Sequence, residues 1–338
     1  MFDFRSDTVT KPTKKMREAM ANALVGDDVY GDDPTINELE ALAAKITGFQ
    51  DALFVPSGTM GNQLSIYTHT NRGDEIIVGS GSHIKNYEVG ASAVLSGVSY
   101  HLINEVNGMM PINDIKAGIR GNDIHYPDTS LICLENAHGS GVVLPLDYMK
   151  EVSSLAKEHN LKVHLDGARL FNAATALNVD VKEITKYVDS VTFCLSKGLA
   201  SPIGSLICGS RDFIHKARRG RKLLGGGMRQ VGILGACGLI SLQEMTKRLI
   251  EDHKNAQYLA SKLSSLKGFE VDCNHLDINM VFVKSDINFR ELTKYLETKN
   301  IVIGGYKGEY LRIAIHNDVN KDAIDLLVTE ISNYINLK

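Results

Sequence analysis

Short, continuous apolar runs alternate along this chain with longer stretches of helical period, and the alternation predicts an α/β layered fold. The runs lie at 52–55, 75–78, 130–134, 161–165, 190–194 and 205–208, each about the length of a strand. Most are apolar throughout rather than at every second position, which predicts strands buried on both faces in a mostly parallel sheet covered by helices. A run at 231–242, broken by glycines, predicts a buried helix and falls short of the roughly 20 residues a bilayer span needs. From about residue 244 the pattern changes to an amphipathic helix, a strand near 279–283, a helix near 289–299, a strand near 310–315 and a last helix to 334. The chain thus divides into an arm of residues 1–12, a large domain of residues 13–245 and a smaller α+β domain of residues 246–338. The arm precedes any strong period and is either frayed or docked elsewhere.

Composition narrows the partners. The 338 residues carry 37 Lys+Arg against 40 Asp+Glu, a formal net charge of −3, so nothing in the overall charge draws the protein to nucleic acid or an anionic membrane. With 43% hydrophobic residues the chain can bury a sizeable core. Met1 to Asp7 already holds Asp3, Arg5 and Asp7, which does not read as a secretion signal, and the expected location is the cytoplasm. The five cysteines are odd in number and widely spaced, as reduced packing residues are. Histidine and cysteine spacing supports no metal site.

The chemistry collects where the apolar runs end, the place at which open α/β sheets bind ligands. Ser57-Gly58-Thr59 follows the first run, His83 the second, Glu135, Asn136 and His138 the third, Asp166 and Arg169 the fourth, and Ser196 and Lys197 the fifth. Small and hydroxyl residues opening a helix suit a phosphate, although an isolated Ser or Thr there also serves as an ordinary N-cap. There is no Gly-Lys pair for a P-loop, and Ile84 stands where a dinucleotide fingerprint needs its third glycine, so a single small phosphate fits better than a nucleotide. Lys197 at a buried strand end is in the setting Schiff-base chemistry uses, while a lone lysine is more commonly a surface residue. Asp166, ending another buried strand, adds a carboxylate able to hold a protonated pyridine nitrogen. Cradle, amine and carboxylate are the three anchors of pyridoxal 5′-phosphate.

Five motifs occur in order: Arg5-Ser6-Asp7-Thr8, Gly26-Asp27-Asp28-Val29-Tyr30-Gly31-Asp32-Asp33-Pro34-Thr35, His164-Leu165-Asp166-Gly167-Ala168-Arg169, Leu195-Ser196-Lys197-Gly198 and Gly225-Gly226-Gly227-Met228-Arg229. Together the set resembles the low-specificity L-threonine aldolases, pyridoxal-phosphate enzymes of fold-type I with an aspartate aminotransferase-like architecture. The resemblance implies cleavage of L-threonine and L-allo-threonine to glycine and acetaldehyde. Under it Lys197 bears the Schiff base and Asp166 holds the pyridine nitrogen. Ser57, Gly58 and Thr59 hold the phosphate, and Lys222 and Arg229 are basic residues near the cofactor that a neighbouring subunit could supply. His83 stacks on the cofactor ring and His125 lies near the substrate's β-hydroxyl, the latter on resemblance alone. Ser6, Arg169 and Arg312 grip the substrate carboxylate, with Arg169 also near the cofactor; the alternative for Arg312, in Tyr310-Leu311-Arg312-Ile313, is a strand residue facing solvent. A homotetramer, built as a dimer of dimers with shared sites, is implied in the same way.

Two stretches depart from the family pattern: Ala137 and Gly139 follow Glu135-Asn136, and Gly220 stands where an aromatic is usual after paired arginines. Neither removes a core group. The rival readings are an L-allo-threonine-specific aldolase, a β-eliminating lyase or racemase of the same fold, and a non-catalytic binding protein.

Overall fold

The computed structural model describes residues 1–337. The strand β1 (Phe2–Asp3) opens the chain, and seven strands follow: β2 (Asp51–Val55), β3 (Glu75–Gly79), β4 (Ser99–Ile103), β5 (Thr129–Glu135), β6 (Lys162–Asp166), β7 (Ser190–Cys194) and β8 (Ser205–Gly209). These seven form one sheet in the order β2-β8-β7-β6-β5-β3-β4. Only β8 runs against its neighbours, β2 and β7. The carboxyl ends of β2, β3, β5, β6 and β7 therefore share one edge. The edge strand β4 has no counterpart among the apolar runs, because it has a sheet neighbour on one side only and leaves Ser99 and Leu102 exposed.

Local chemistry fixes where the helices begin. Asp33 caps the helix Pro34–Thr47 by accepting from the Ile36 N–H at 3.0 Å, Pro34 takes the first turn, and Gly48 closes it at φ +76°. Ser57 caps the helix Gly58–His69 in the same manner. That helix lies close on β7, since a Cβ at Gly61 would come within 2.4 Å of Thr192 Cγ2. The approach brings Asn62 down onto the sheet.

The 231–242 run forms the helix Gly232–Ile240, which continues through one π-helical turn, Ser241–Met245, into the helix Thr246–Ser264. This last helix spans two cores: Leu249 belongs to the core around the large sheet, while Ala256, Leu259 and Leu263 belong to the second. The second core sits against a sheet in the order β12-β13-β10-β9, where β9 is Phe269–Val271, β10 Met280–Ser285, β12 Tyr306–Lys307 and β13 Tyr310–Ala314. The strand β11 (Ile301–Val302) pairs in parallel with β1. The arm is thus docked, with Phe4 fully buried in the second core and its carbonyl accepting from the Ala314 N–H at 2.9 Å.

Candidate functional site

A cavity of about 500 Å³ opens where the five strand ends meet the arm and the C-terminal sheet. Of the twelve residues that the resemblance assigns to the site, nine line it: Ser6, Ser57, Gly58, Thr59, His83, Asp166, Arg169, Lys197 and Arg312. Three do not. His125 stands on an exposed loop with its Nδ1 held by Asp123 at 2.7 Å, Lys222 is exposed at the end of a helix, and Arg229 pairs with Asp27 at 2.8 Å. Within one chain, then, His125 does not meet the other site residues.

Asp166 ends β6 and is 2% exposed. Its Oδ2 accepts from Asn62 Nδ2 at 2.8 Å and its Oδ1 from the Ala168 N–H at 3.0 Å. Behind Asn62 a buried chain of hydrogen bonds runs away from the cavity. His164 Nε2 meets Asn62 Oδ1 at 3.1 Å, His164 Nδ1 meets Ser190 Oγ at 2.9 Å, and His69 Nε2 meets the same hydroxyl at 2.8 Å. Burial pushes His164 down to about 3 and His69 down to about 4, so both rings stay neutral at physiological pH. A histidine whose folded value lies below its unfolded value of roughly 6.5 stabilises the fold above that pH and loses this as pH falls toward the folded value. His69→Gln keeps an N–H donor but does not titrate. Between pH 7 and pH 5 its unfolding free energy should therefore fall by about 1–2 kcal/mol less than that of the unmutated protein, measured by denaturant titration at both pH values. Equal losses in the two proteins would refute the assignment.

The carboxylate-binding side is arranged differently from the sequence expectation. Arg169 donates through Nε and Nη2 to Asp7 at 2.8 and 2.6 Å, a bidentate pair in which Asp7 is fully buried. Burial alone would raise the Asp7 carboxyl, but the Arg169 charge and hydrogen bonds hold it well below the usual carboxylate range. Much of the Arg169 fork is thus already engaged within the chain. Arg312 is the freer guanidinium: its Nη2 donates to the Arg5 carbonyl at 3.0 Å, while its buried Nε has no partner among the described residues. Burial and the neighbouring Arg169 charge lower its pKa, so the place disfavours a second cation and suits an anion.

Lys197 lies in a tight loop after β7. Its carbonyl accepts from Thr10 Oγ1 and from the Ala200 N–H, each at 2.9 Å, with Ala200 at φ +60°. The arm thus holds the lysine loop directly. At the opposite wall, Ser57 Oγ is engaged in capping Met60 N–H at 3.1 Å, which leaves the first-turn N–H groups of Gly58 and Thr59 as the donors for an anion. A Cβ at Gly58 would come within 2.9 Å of Cys194 Sγ, so the helix start can sit this close to β7 only without a side chain.

Several residues of the site escaped the sequence reading: Asp7, Asn62, Tyr87 and Glu88, together with Glu135 as more than a strand end. Glu135 accepts from the His83 N–H at 2.8 Å and the Gly139 N–H at 2.7 Å, and burial with the Asp166 charge pushes it up to about 7. The available signals were weak. Asp7 lies inside a quoted motif, and Tyr87 and Glu88 follow His83 by one helical turn.

In the helix Arg211–Leu223, Arg221 is buried against Asp28 and donates to the Phe54 carbonyl at 2.8 Å, and Arg218 reaches Glu40 at 2.6 Å, so both arginines form structural ion pairs. Asp28 of the Gly26–Thr35 motif also lies 3.6 Å from Arg218. Four cysteines are buried and free, and Cys273 is exposed.

The residues present fit the expected cofactor. The helix start at Gly58 is closed to any Cβ, and Asp166 is a buried carboxylate with two N–H donors fixing its orientation.

A family model described as beta-eliminating lyase matches residues 3–286. The low specificity L-threonine aldolase of Escherichia coli (strain K12) is 44% identical over 326 residues, covering 96% of this chain and 96% of that protein. Low-specificity L-threonine aldolase 1 of Arabidopsis thaliana is 47% identical over 327 residues, covering 94% and 91%. Among solved structures, the threonine aldolase of Leishmania major superposes with a TM-score of 0.85 at 19% identity over 99% of both chains. The serine palmitoyltransferase of Sphingomonas wittichii gives 0.79 at 13% identity over 99% and 87%. At these identities the structural likeness concerns the fold.

Proposed function

The chain belongs to the beta-eliminating lyases and, within them, to the low-specificity L-threonine aldolases, and we propose that Lys197, Asp166, His83 and Arg312 carry its cleavage of L-threonine and L-allo-threonine to glycine and acetaldehyde, with pyridoxal 5′-phosphate as cofactor. The observation that carries the assignment of roles is that one cavity gathers an amine, a buried carboxylate and a guanidinium whose Nε is without a partner among the described residues, from three separate parts of the chain.

The cofactor, when bound, supplies the electron sink for the pair released as the Cα–Cβ bond breaks. Lys197 offers the amine that holds it, Asp166 the carboxylate for its ring nitrogen, and the N–H groups of Gly58 and Thr59 the cradle for its phosphate. Arg312 and Ser6 hold the substrate carboxylate, and Arg169 keeps the arm in place through Asp7. Gripping the carboxylate at one point and the amine at another selects which Cα bond is aligned to break. His83 takes the proton of the β-hydroxyl; the oxygen's pair then closes the C=O of acetaldehyde as the bond to Cα is lost. The same steps in reverse join glycine to an aldehyde, and other β-hydroxy amino acids fit the same demands.

Arg312→Leu should reduce kcat/KM for L-threonine by about 10²-fold, mainly through KM, while cofactor absorbance is retained. Steady-state kinetics with parallel visible spectra test this; an unchanged KM would remove Arg312 from the carboxylate site. The activity itself is read by product: acetaldehyde and glycine are expected, and ammonia with a keto acid would mark a β-eliminating enzyme instead.

The assembly we infer is a homotetramer, a dimer of dimers whose facing subunits lend His125, Lys222 and Arg229. Support comes from apolar side chains left exposed, Leu24, Tyr30 and Leu223 at 74, 77 and 69%. No helix among the described residues is long and apolar enough to cross a membrane. Free buried thiols suit a reducing compartment, in keeping with a cytoplasmic location.

A further inference from the structure

Glu88 lies beneath His83 and takes no part in the chemistry derived above. It is 1% exposed, and the hydrogen bonds to its carboxylate come from nitrogens. Oε1 meets His83 Nδ1 at 2.8 Å and Asn62 Nδ2 at 2.8 Å, and Oε2 meets Gln63 Nε2 at 2.5 Å. The direction of these bonds follows from the neighbours. Asn62 has two amide hydrogens, which go to Glu88 and to Asp166 Oδ2, while its oxygen takes the Nε2–H of His164. Ser92 Oγ donates to Gln63 Oε1 at 3.0 Å, which turns the Gln63 amide hydrogens toward Glu88. A carboxylate surrounded in this way accepts from the imidazole as well, so the proton of the neutral ring stands on Nδ1 and its lone pair on Nε2.

We propose that Glu88 is a positioning residue for the reaction: it fixes His83 in the Nδ1–H tautomer, leaving Nε2 as the proton acceptor for the substrate hydroxyl, and ties that ring to Asp166 through Asn62. What Nε2 does rests on the aldolase reading, whereas the tautomer does not. A proton acceptor and the carboxylate assigned to the cofactor nitrogen are then held by a single amide. His83, Glu88 and Asp166 bring ligand-type atoms within 4.8 Å of one another, and the two carboxylates are bridged by N–H donors.

The groups that face the imidazole agree with this. The hydrogen bond to Glu88 raises the His83 pKa most, burial lowers it, Asp166 and the Glu88 charge raise it further, and Lys197 opposes them. Tyr87 tilts against the ring with centroids 5.5 Å apart, and the His83 backbone N–H is held by Glu135.

Nitrogen-15 NMR of histidine-labelled holoenzyme without substrate tests the proposal, with the His83 signals identified by their loss in His83→Gln. In the unmutated protein above its titration midpoint, the protonated shift should belong to Nδ1. In Glu88→Gln the midpoint should fall by about one pH unit and the single tautomer should give way to a mixture. An Nε2–H ring in the unmutated protein overturns the proposal, as does a variant whose midpoint and tautomer are unchanged. If Glu88→Gln does not fold, the unmutated spectrum decides alone. Cleavage of threonine by a protein whose His83 is Nε2–H would sink the positioning role and leave the aldolase reading intact. An Nδ1–H ring in a protein inert toward threonine would do the reverse.

Discussion

Lys197→Ala is expected to abolish the visible absorbance of lysine-bound pyridoxal phosphate and to cut threonine cleavage by at least about 10⁴-fold, the scale on which losing one member of a cooperating catalytic set acts. The loop that carries the lysine is held by its backbone, through Thr10 Oγ1 and the Ala200 N–H. Removing the side chain therefore leaves the loop's fold intact, and the loss reports on the amine. Lys197→Arg is the companion variant: it retains the positive charge beside Asp7 and Asp166 but cannot condense with an aldehyde. Both variants should be colourless and inactive by absorbance spectra and acetaldehyde release. Persistence of colour and turnover in either would refute the assignment.

Asp7→Ala should destabilise the protein by about 3–5 kcal/mol, because it leaves the Arg169 guanidinium, whose side chain is 10% exposed, without its counter-charge. Against a total stability of roughly 5–15 kcal/mol that is a large fraction, and denaturant unfolding would read it directly. The double variant Asp7→Ala/Arg169→Met should recover a good part of the loss by removing the stranded charge. A double variant no more stable than the single one would show that the pair is not the source. The pH dependence has a definite sign. The Asp7 carboxyl is held below its unfolded value, so its contribution is complete above about pH 4 and declines as acid protonates it. Asp7→Ala should accordingly have a flatter stability profile on the acid side.

How far the sequence could be read depended on whether a residue's role was local. All six apolar runs became strands, since continuous burial on both faces leaves an unambiguous pattern. Residues at those strand ends, Asp166 and Lys197 above all, were legible because chain position alone carries them to the edge. The strand β4 was not, as an edge strand with Ser99, Tyr100 and His101 has no continuous apolar signature. Asn62 and Glu88 were hidden for another reason. Asn62 meets Asp166 across 104 positions, and a polar residue inside a helix reads as solvent-facing until the helix is placed on the sheet; Glu88 stands in a bend past the short helix His83–Asn86, where nothing local marks it as buried. Arg169 shows the limit from the other side: its type and position were evident, but its bidentate pairing with Asp7 across 162 positions was not.

The arm imposes an order on synthesis. Phe2 and Asp3 leave the ribosome well before their partners Ile301 and Val302, and the Phe4 carbonyl waits for Ala314. The large sheet has all seven strands by Gly209 and can form while the chain is still being made. Arg312 and the final position of the arm, which carries Ser6 and Asp7, arrive only about 100 residues after the large sheet is complete. A nascent chain can therefore hold a folded cradle, Asp166 and Lys197 long before it has any means of gripping a substrate carboxylate, so cofactor loading can precede competence for catalysis.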